Sequence, residues 1–172
     1  MGKITFILGG ARSGKSTYAI NLAKKNKRVA FLATCQAFDR EMAKRIKIHK
    51  SSRPDHWETF EEPCDIEKIL AKIGNKFDLI VIDCLTLWVS NLMIKKLSHE
   101  KILKKTETAL NSIARINARV IIVSNEVGLG IVPNNKLARD FRDIAGKVNQ
   151  IIASKSDKVF FMVAGIPMMI KK

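Results

Sequence analysis

The sequence predicts an α/β protein with a mainly parallel sheet covered by helices on both faces. Short apolar runs recur at 4–8, 29–33, 79–82, 120–123 and 158–164, rich in β-branched and aromatic residues and too short for buried helices. Segments with helical spacing separate them, the alternation that builds parallel sheets with both faces buried. The first run halts at Gly9-Gly10, and the pattern G-x-x-x-x-G-K-S from Gly9 to Ser16 opens a helix-forming segment.

The chain has 172 residues, which suits one compact domain over 1–172, and no linker, repeat or low-complexity tract divides it. Ile4–Leu8 is the first strand, and a helix from about Gly14 to Lys24 follows. Val29–Ala33 is the second strand, closing on Thr34, Cys35 and Gln36 at the edge where ligands collect in such sheets. From Asp39 to Lys50, Met42, Ile46 and His49 share one helical face and Arg40, Lys44 and Lys47 another. Pro54 ends that helix, and 57–60 reads as a short extended piece. Asp65–Ile73 is a helix with Asp65 as its N-cap. After the strand 79–82 come Asp83 and helices over 85–97 and 100–116. The strand 120–123 leads into Ser124-Asn125-Glu126 and a Gly/Pro-marked loop, 128–133. A long helix over 135–154, a strand at 158–164 and an edge piece at 166–170 complete the order.

The pattern at Gly9–Ser16 is a phosphate cradle. Its glycines let successive N–H groups converge on phosphate oxygens at a helix N-terminus, whose dipole adds positive charge. Lys15 reaches the terminal phosphates, and the Ser16 hydroxyl can complete a magnesium shell. Asp83, directly after four apolar β-formers, stands where an acid holds that magnesium, unless it merely caps the next helix. His49 is a candidate nucleophile beside Lys50 and Arg53, with His56 competing, and spacing does not choose between them. Either Glu61 or Glu62 can accept hydrogen bonds from a sugar or base edge, and both read equally as solvated surface acids. His99 reads as solvated, and Arg139, Asp140, Arg142 and Asp143 as helix-face ion pairs.

The net charge of +15 attracts anions, yet the lysines are spread along the chain, which favours a solvated basic surface over a nucleic-acid footprint. Cys35, Cys64 and Cys84 lack metal-site spacing and read as reduced thiols. No run is long enough to span a membrane, and the expected location is the cytoplasm.

With these residues in place, the chain resembles the bifunctional adenosylcobinamide kinase / adenosylcobinamide-phosphate guanylyltransferase family. The resemblance rests on GGARSGKS at 9–16, LAT at 32–34, EMAKRIKIHKSSRPDHWET at 41–59, Asp83, and NEVGLGIVPNNKLARDFRDIAGKVNQ at 125–150. It implies a RecA-like P-loop fold and two reactions. In one, a phosphoryl group passes from ATP or GTP to the aminopropanol hydroxyl of adenosylcobinamide. In the other, GMP passes from GTP through a guanylylated histidine, His49, to adenosylcobinamide phosphate.

The resemblance further implies nucleotide contacts at Gly9, Gly10, Ala11, Arg12, Ser13, Gly14, Lys15 and Ser16. They extend to Ala33, Thr34 and Cys35, to Lys50, Ser51, Ser52 and Arg53, and to Glu61 and Asp83. Lys15 and His49 would be catalytic, and Ser16 and Asp83 would hold Mg²⁺. Some relatives carry Ser and Glu where this chain has Cys35 and Asp83. Family members can assemble as trimers, so a homo-oligomer is expected, without nucleic acid. Two other readings are a RecA-like nucleic-acid-binding ATPase and a small-metabolite kinase. The 6% aromatic content argues against the former, and acceptance of GMP by His49 separates the latter.

Overall fold

The computed structural model describes residues 3–37, 40–51 and 53–172, without the side chains at 42, 43, 45, 48 and 49. In chain order the elements are β1 (Ile4–Gly9), α1 (Lys15–Ala23), β2 (Val29–Ala33), α2 (Arg40–Ser51), β3 (Glu58–Glu61), α3 (Ile66–Ile73) and β4 (Leu79–Asp83). They continue with α4 (Leu85–Ile94), α5 (His99–Ala114), β5 (Arg119–Val123), α6 (Lys136–Lys155), β6 (Lys158–Val163) and β7 (Ile166–Lys171).

One sheet holds the order β3-β2-β4-β5-β1-β6-β7, parallel except for the antiparallel β6–β7 hairpin. Every parallel strand therefore ends on the same edge, and that edge gathers the phosphate loop, Thr34 and Asp83. The central strands read as unbroken apolar runs because both their faces are covered. Phe6, Leu32, Ile80 and Ile122 pack toward the side that includes Leu70, Trp88, Ile102 and Ile144 of α3 to α6. Their neighbours Ile7, Phe31, Val81 and Ile121 pack toward the side that includes Ala19 and Ile20 of α1, since strand side chains alternate.

The extended piece foreseen near 57–60 is β3, the parallel edge strand beyond β2. Its four residues are mostly exposed and carry no apolar run to announce them. The helix expected over 85–97 stops at Ile94. Asp65 occupies the N-cap position of α3, but its side chain makes no capping hydrogen bond. Its carboxylate pairs with Lys68 at 3.0 Å and Lys105 at 2.9 Å, while Glu62 Oε1 accepts the N–H groups of Cys64 and Asp65 at 2.9 and 2.8 Å. Glu62 is thereby committed to the start of α3, whereas the adjacent Glu61 lines an open cavity.

Candidate functional site

The phosphate loop is built by two left-handed residues, Arg12 at φ 57° and Gly14 at φ 91°, flanking Ser13. Alternation with left-handed residues turns successive N–H groups to one side, which makes an anion-sized concavity at the start of α1. Gly14 also leaves little room for a side chain, because a Cβ there would lie 3.1 Å from the Gly165 Cα in the β6–β7 turn. The Gly165 N–H donates to the Ser13 C=O at 3.0 Å, so that hairpin backs the loop. Lys15 is buried, and its ammonium donates to the Gly10 C=O and to Ser13 Oγ at 3.4 Å. Burial lowers the Lys15 pKa, an effect that the nearby Asp83 opposes.

A second group stands where β2 and β4 end. The Thr34 hydroxyl accepts from the Cys84 N–H and donates to the Cys84 C=O, and Thr34 N–H donates to the Asp83 C=O at 3.2 Å. Asn91 of α4 donates to the carbonyls of Thr34 at 2.8 Å and Pro63 at 3.0 Å. Asp83 is thus held on a strand end braced from both sides. Beside it, burial foremost and then Asp83 raise the Cys35 thiol, and burial takes the Cys84 thiol up to about 12. Both thiols are therefore protonated at neutral pH and inert as nucleophiles.

The third group follows α2. The Arg53 guanidinium lies 3.6 Å above the Phe31 ring and donates to Thr59 Oγ1 at 3.3 Å. Burial lowers its pKa, and Asp83 and Glu61 work against that shift. Lys50 pairs with Glu61, tying the end of α2 to β3. Lys50, Arg53, Trp57, Thr59 and Glu61 help line an open cavity of about 460 Å³. Arg53 Nε and Trp57 Nε1 are buried donors with no acceptor among the described residues.

This cavity lies at the β2–β3 end of the edge, not over the phosphate loop. Strand spacing puts the ends of β1 and β3, four strands apart, on the order of 19 Å from each other. Asp83 on β4 lies between, and its field reaches both Lys15 and Arg53. Among the expected site residues, Gly9–Ser16, Ala33–Cys35, Lys50, Ser51, Arg53, Glu61 and Asp83 are spread along this one edge. Ser52 and the His49 side chain lie outside the described residues, although α2, which carries residue 49, ends beside Arg53. His56 and His99 are exposed. Lys136 pairs with Asp140 at 2.7 Å, and Arg139 instead caps the carbonyls of Pro133 and Asn134 at the start of α6.

Several supports escape a reading by motif. Asn91 is one polar residue on the buried side of the apolar helix LTLWVSNLMI, and that mismatch is its only signal. Thr86 Oγ1 meets Ser124 Oγ at 3.1 Å and accepts the Asn125 N–H at 2.6 Å, fixing the end of β5. Glu126 N–H donates to the Gly9 C=O at 3.0 Å, joining the Gly/Pro-marked loop to the phosphate loop.

The sequence model of the cobinamide kinase / cobinamide phosphate guanyltransferase family matches residues 5–170. The chain belongs to this family. It is 42% identical over 170 residues to the bifunctional adenosylcobalamin biosynthesis protein CobP of Pseudomonas aeruginosa, covering 96% of this chain and 95% of that one. It is 39% and 37% identical to the proteins named CobU of Salmonella typhimurium and Escherichia coli, covering 96% of this chain and 98% of each. Family membership makes the chain an enzyme of the kinase and guanyltransferase class in cobalamin biosynthesis. The crystal structure of the RadB recombinase superimposes with a TM-score of 0.51 over 93% of this chain and 74% of that one, at 15% identity, a likeness of fold.

Proposed function

We propose that the chain carries out both reactions of its family at this one sheet edge. In the first, the aminopropanol hydroxyl oxygen of adenosylcobinamide attacks the γ-phosphorus of ATP or GTP; a P–O bond forms, the bond to the nucleoside diphosphate breaks, and the hydroxyl proton is lost to solvent. In the second, an imidazole nitrogen of His49 attacks the α-phosphorus of GTP, an N–P bond forms and pyrophosphate leaves. A phosphate oxygen of adenosylcobinamide phosphate then displaces the histidine, giving adenosylcobinamide-GDP. Two displacements through a phosphoramidate replace one harder step, because protonated imidazole leaves readily.

The observation that carries this reading is the position of Asp83 at the end of β4, on the same sheet edge as the cradle after β1 and as Glu61 on β3, and between them in the strand order. Lys15 and the loop N–H groups neutralise the phosphates, which is most of what phosphoryl transfer asks of a protein. Ala33, Thr34 and Cys35 stand at the end of β2 between the two groups, with Thr34 acting through its hold on Cys84. Lys50, Ser51, Ser52, Arg53 and Glu61 receive the nucleoside end, and the unpaired Arg53 Nε and Trp57 Nε1 support an acceptor there. Ser16 Oγ and the Asp83 carboxylate, both oxygen donors at this edge, would hold Mg²⁺ together with phosphate oxygens, the ligand type that this hard ion takes. That ion, when bound, spreads charge from the phosphates.

Incubation with α-labelled GTP tests the proposal. Acid-labile, base-stable label is expected on the wild-type chain and none on His49→Ala, whereas a fully labelled variant excludes the histidine role. Phosphoryl transfer should fall far more for Lys15→Ala than for His49→Ala. A homo-oligomer, as in the trimers of the family, would be read by light scattering.

A further inference from the structure

The positive charge is not evenly placed in space. The carboxyl ends of the parallel strands carry the site; their amino ends form the opposite edge. That edge comprises Lys3 and the segments 24–28, 72–78, 115–119, 155–158 and 171–172. Backbone hydrogen bonds make it continuous: Asp78 N–H to Arg28 C=O, Arg119 N–H to Asp78 C=O, Val120 N–H to Lys3 C=O and Asp157 N–H to Ile4 C=O. It holds thirteen Lys and Arg against two acids, eleven of the fifteen net charges of the chain. All thirteen cations are exposed.

Both acids are already engaged within the protein. Asp78 pairs with Arg28 at 2.7 Å, and Asp157 Oδ2 accepts the Ile4 N–H at 2.7 Å. Lys24, Lys25, Lys27 and Lys76 have no ion pair among the described residues. Cations at helix C-termini are ordinary partners of the helix dipole, but here they extend through the loops between helix and strand as well. β7 runs antiparallel and brings exposed Ile170 toward this same edge, ending at Lys171, which pairs with Val159 near the start of β6.

We propose that this edge docks the enzyme on an anionic lipid bilayer. Ten of its thirteen cations are lysines, compact charges suited to a diffuse anionic surface, and it offers no ring for stacking a nucleic-acid base except the buried Phe77. The exposed Ile170 at its flank fits a membrane interface and has no role against phosphate backbone. No helix is long and apolar enough to cross a membrane among the described residues, so the contact is peripheral. Docked this way, the substrate edge points away from the bilayer and stays open.

The test is flotation of the full chain with vesicles of phosphatidylcholine alone or mixed with phosphatidylglycerol, at low and high salt. Binding to the anionic vesicles should exceed neutral binding by about tenfold or more and vanish at high salt, since the surface attraction is screened. Reversal of Lys24, Lys25, Lys27 and Lys76 to Glu should remove it, while Lys101→Glu with Lys104→Glu on α5 should leave it within about twofold. Equal binding to neutral vesicles, none to either, or equal loss in both variants overturns the proposal. So does preference for a DNA duplex that competes the vesicles away.

Discussion

Thr34 and Cys84, fifty residues apart in sequence, are joined by one hydroxyl that accepts the Cys84 N–H at 2.9 Å and donates to the Cys84 C=O at 2.7 Å. The pair binds the end of β2 to the residue that follows Asp83, in a place closed to water. Thr34→Val keeps the shape and leaves the Cys84 N–H without a partner, while the Cys84 C=O keeps the Trp88 N–H at 3.2 Å; one unsatisfied buried donor costs about 1–3 kcal/mol. Urea denaturation should show a loss in that range or above, with both transfer activities reduced, and Thr34→Ser should restore most of each. A Val variant as stable as wild type would show that the bond is replaceable.

Gly9 and Gly10 are adjacent and opposite in tolerance. A Cβ on Gly9 would lie 2.6 Å from the Met162 carbonyl oxygen, a backbone atom of β6 that cannot step aside, whereas one on Gly10 meets nothing within 4 Å. Gly9→Ala is expected to destabilise the chain by about 2 kcal/mol or more through overpacking. Gly10→Ala should melt within a few degrees of wild type. Thermal unfolding of the two variants side by side distinguishes them.

The acid side of the stability curve is set in part between α3 and α5. Lys105, then Lys68, hold the Asp65 carboxyl down at about 2, below its ordinary 3.8. A carboxylate whose folded pKa is depressed stabilises the fold above its unfolded value, and that contribution disappears as pH falls through the folded one. Stability should therefore drop as pH goes from about 4 to about 2, and Lys105→Met should flatten the drop. Denaturation midpoints across that interval check the slope.

Arg53 is planar and stacked on Phe31, a geometry that a lysine ammonium cannot copy. Arg53→Lys should weaken GTP binding about tenfold, close to 1.4 kcal/mol, while keeping the charge. Titration calorimetry reads the affinity, and guanylyl labelling should fall more than phosphoryl transfer does. Equal effects on both reactions would place Arg53 with the shared phosphates and not with the nucleoside end.

The cradle was legible because its parts are consecutive: a strand, a run of glycines and a helix N-terminus within residues 4–23 act over a few bonds. The cavity wall was only half legible: Lys50, Arg53 and Glu61 stand out as candidates, but in so basic a chain their pattern does not separate them from ordinary surface charge. Asp65 and Glu62 show the limit of local rules. Asp65 stands at the helix start, yet two lysines, one of them forty residues away, draw its carboxylate off, while the earlier Glu62 takes the N–H groups of Cys64 and Asp65 just ahead of the helix.

Apolar periodicity and glycine spacing by themselves determined the succession of strands and helices and the phosphate loop, because those features answer to neighbours a turn or a pleat away. Strand order, the Thr34–Cys84 and Asn91 braces, the seat of Arg53 on Phe31 and the gathering of lysines at one pole were decided by tertiary structure alone. Each brings together residues tens of positions apart, and only the packing of helices onto a twisted sheet selects which of them meet.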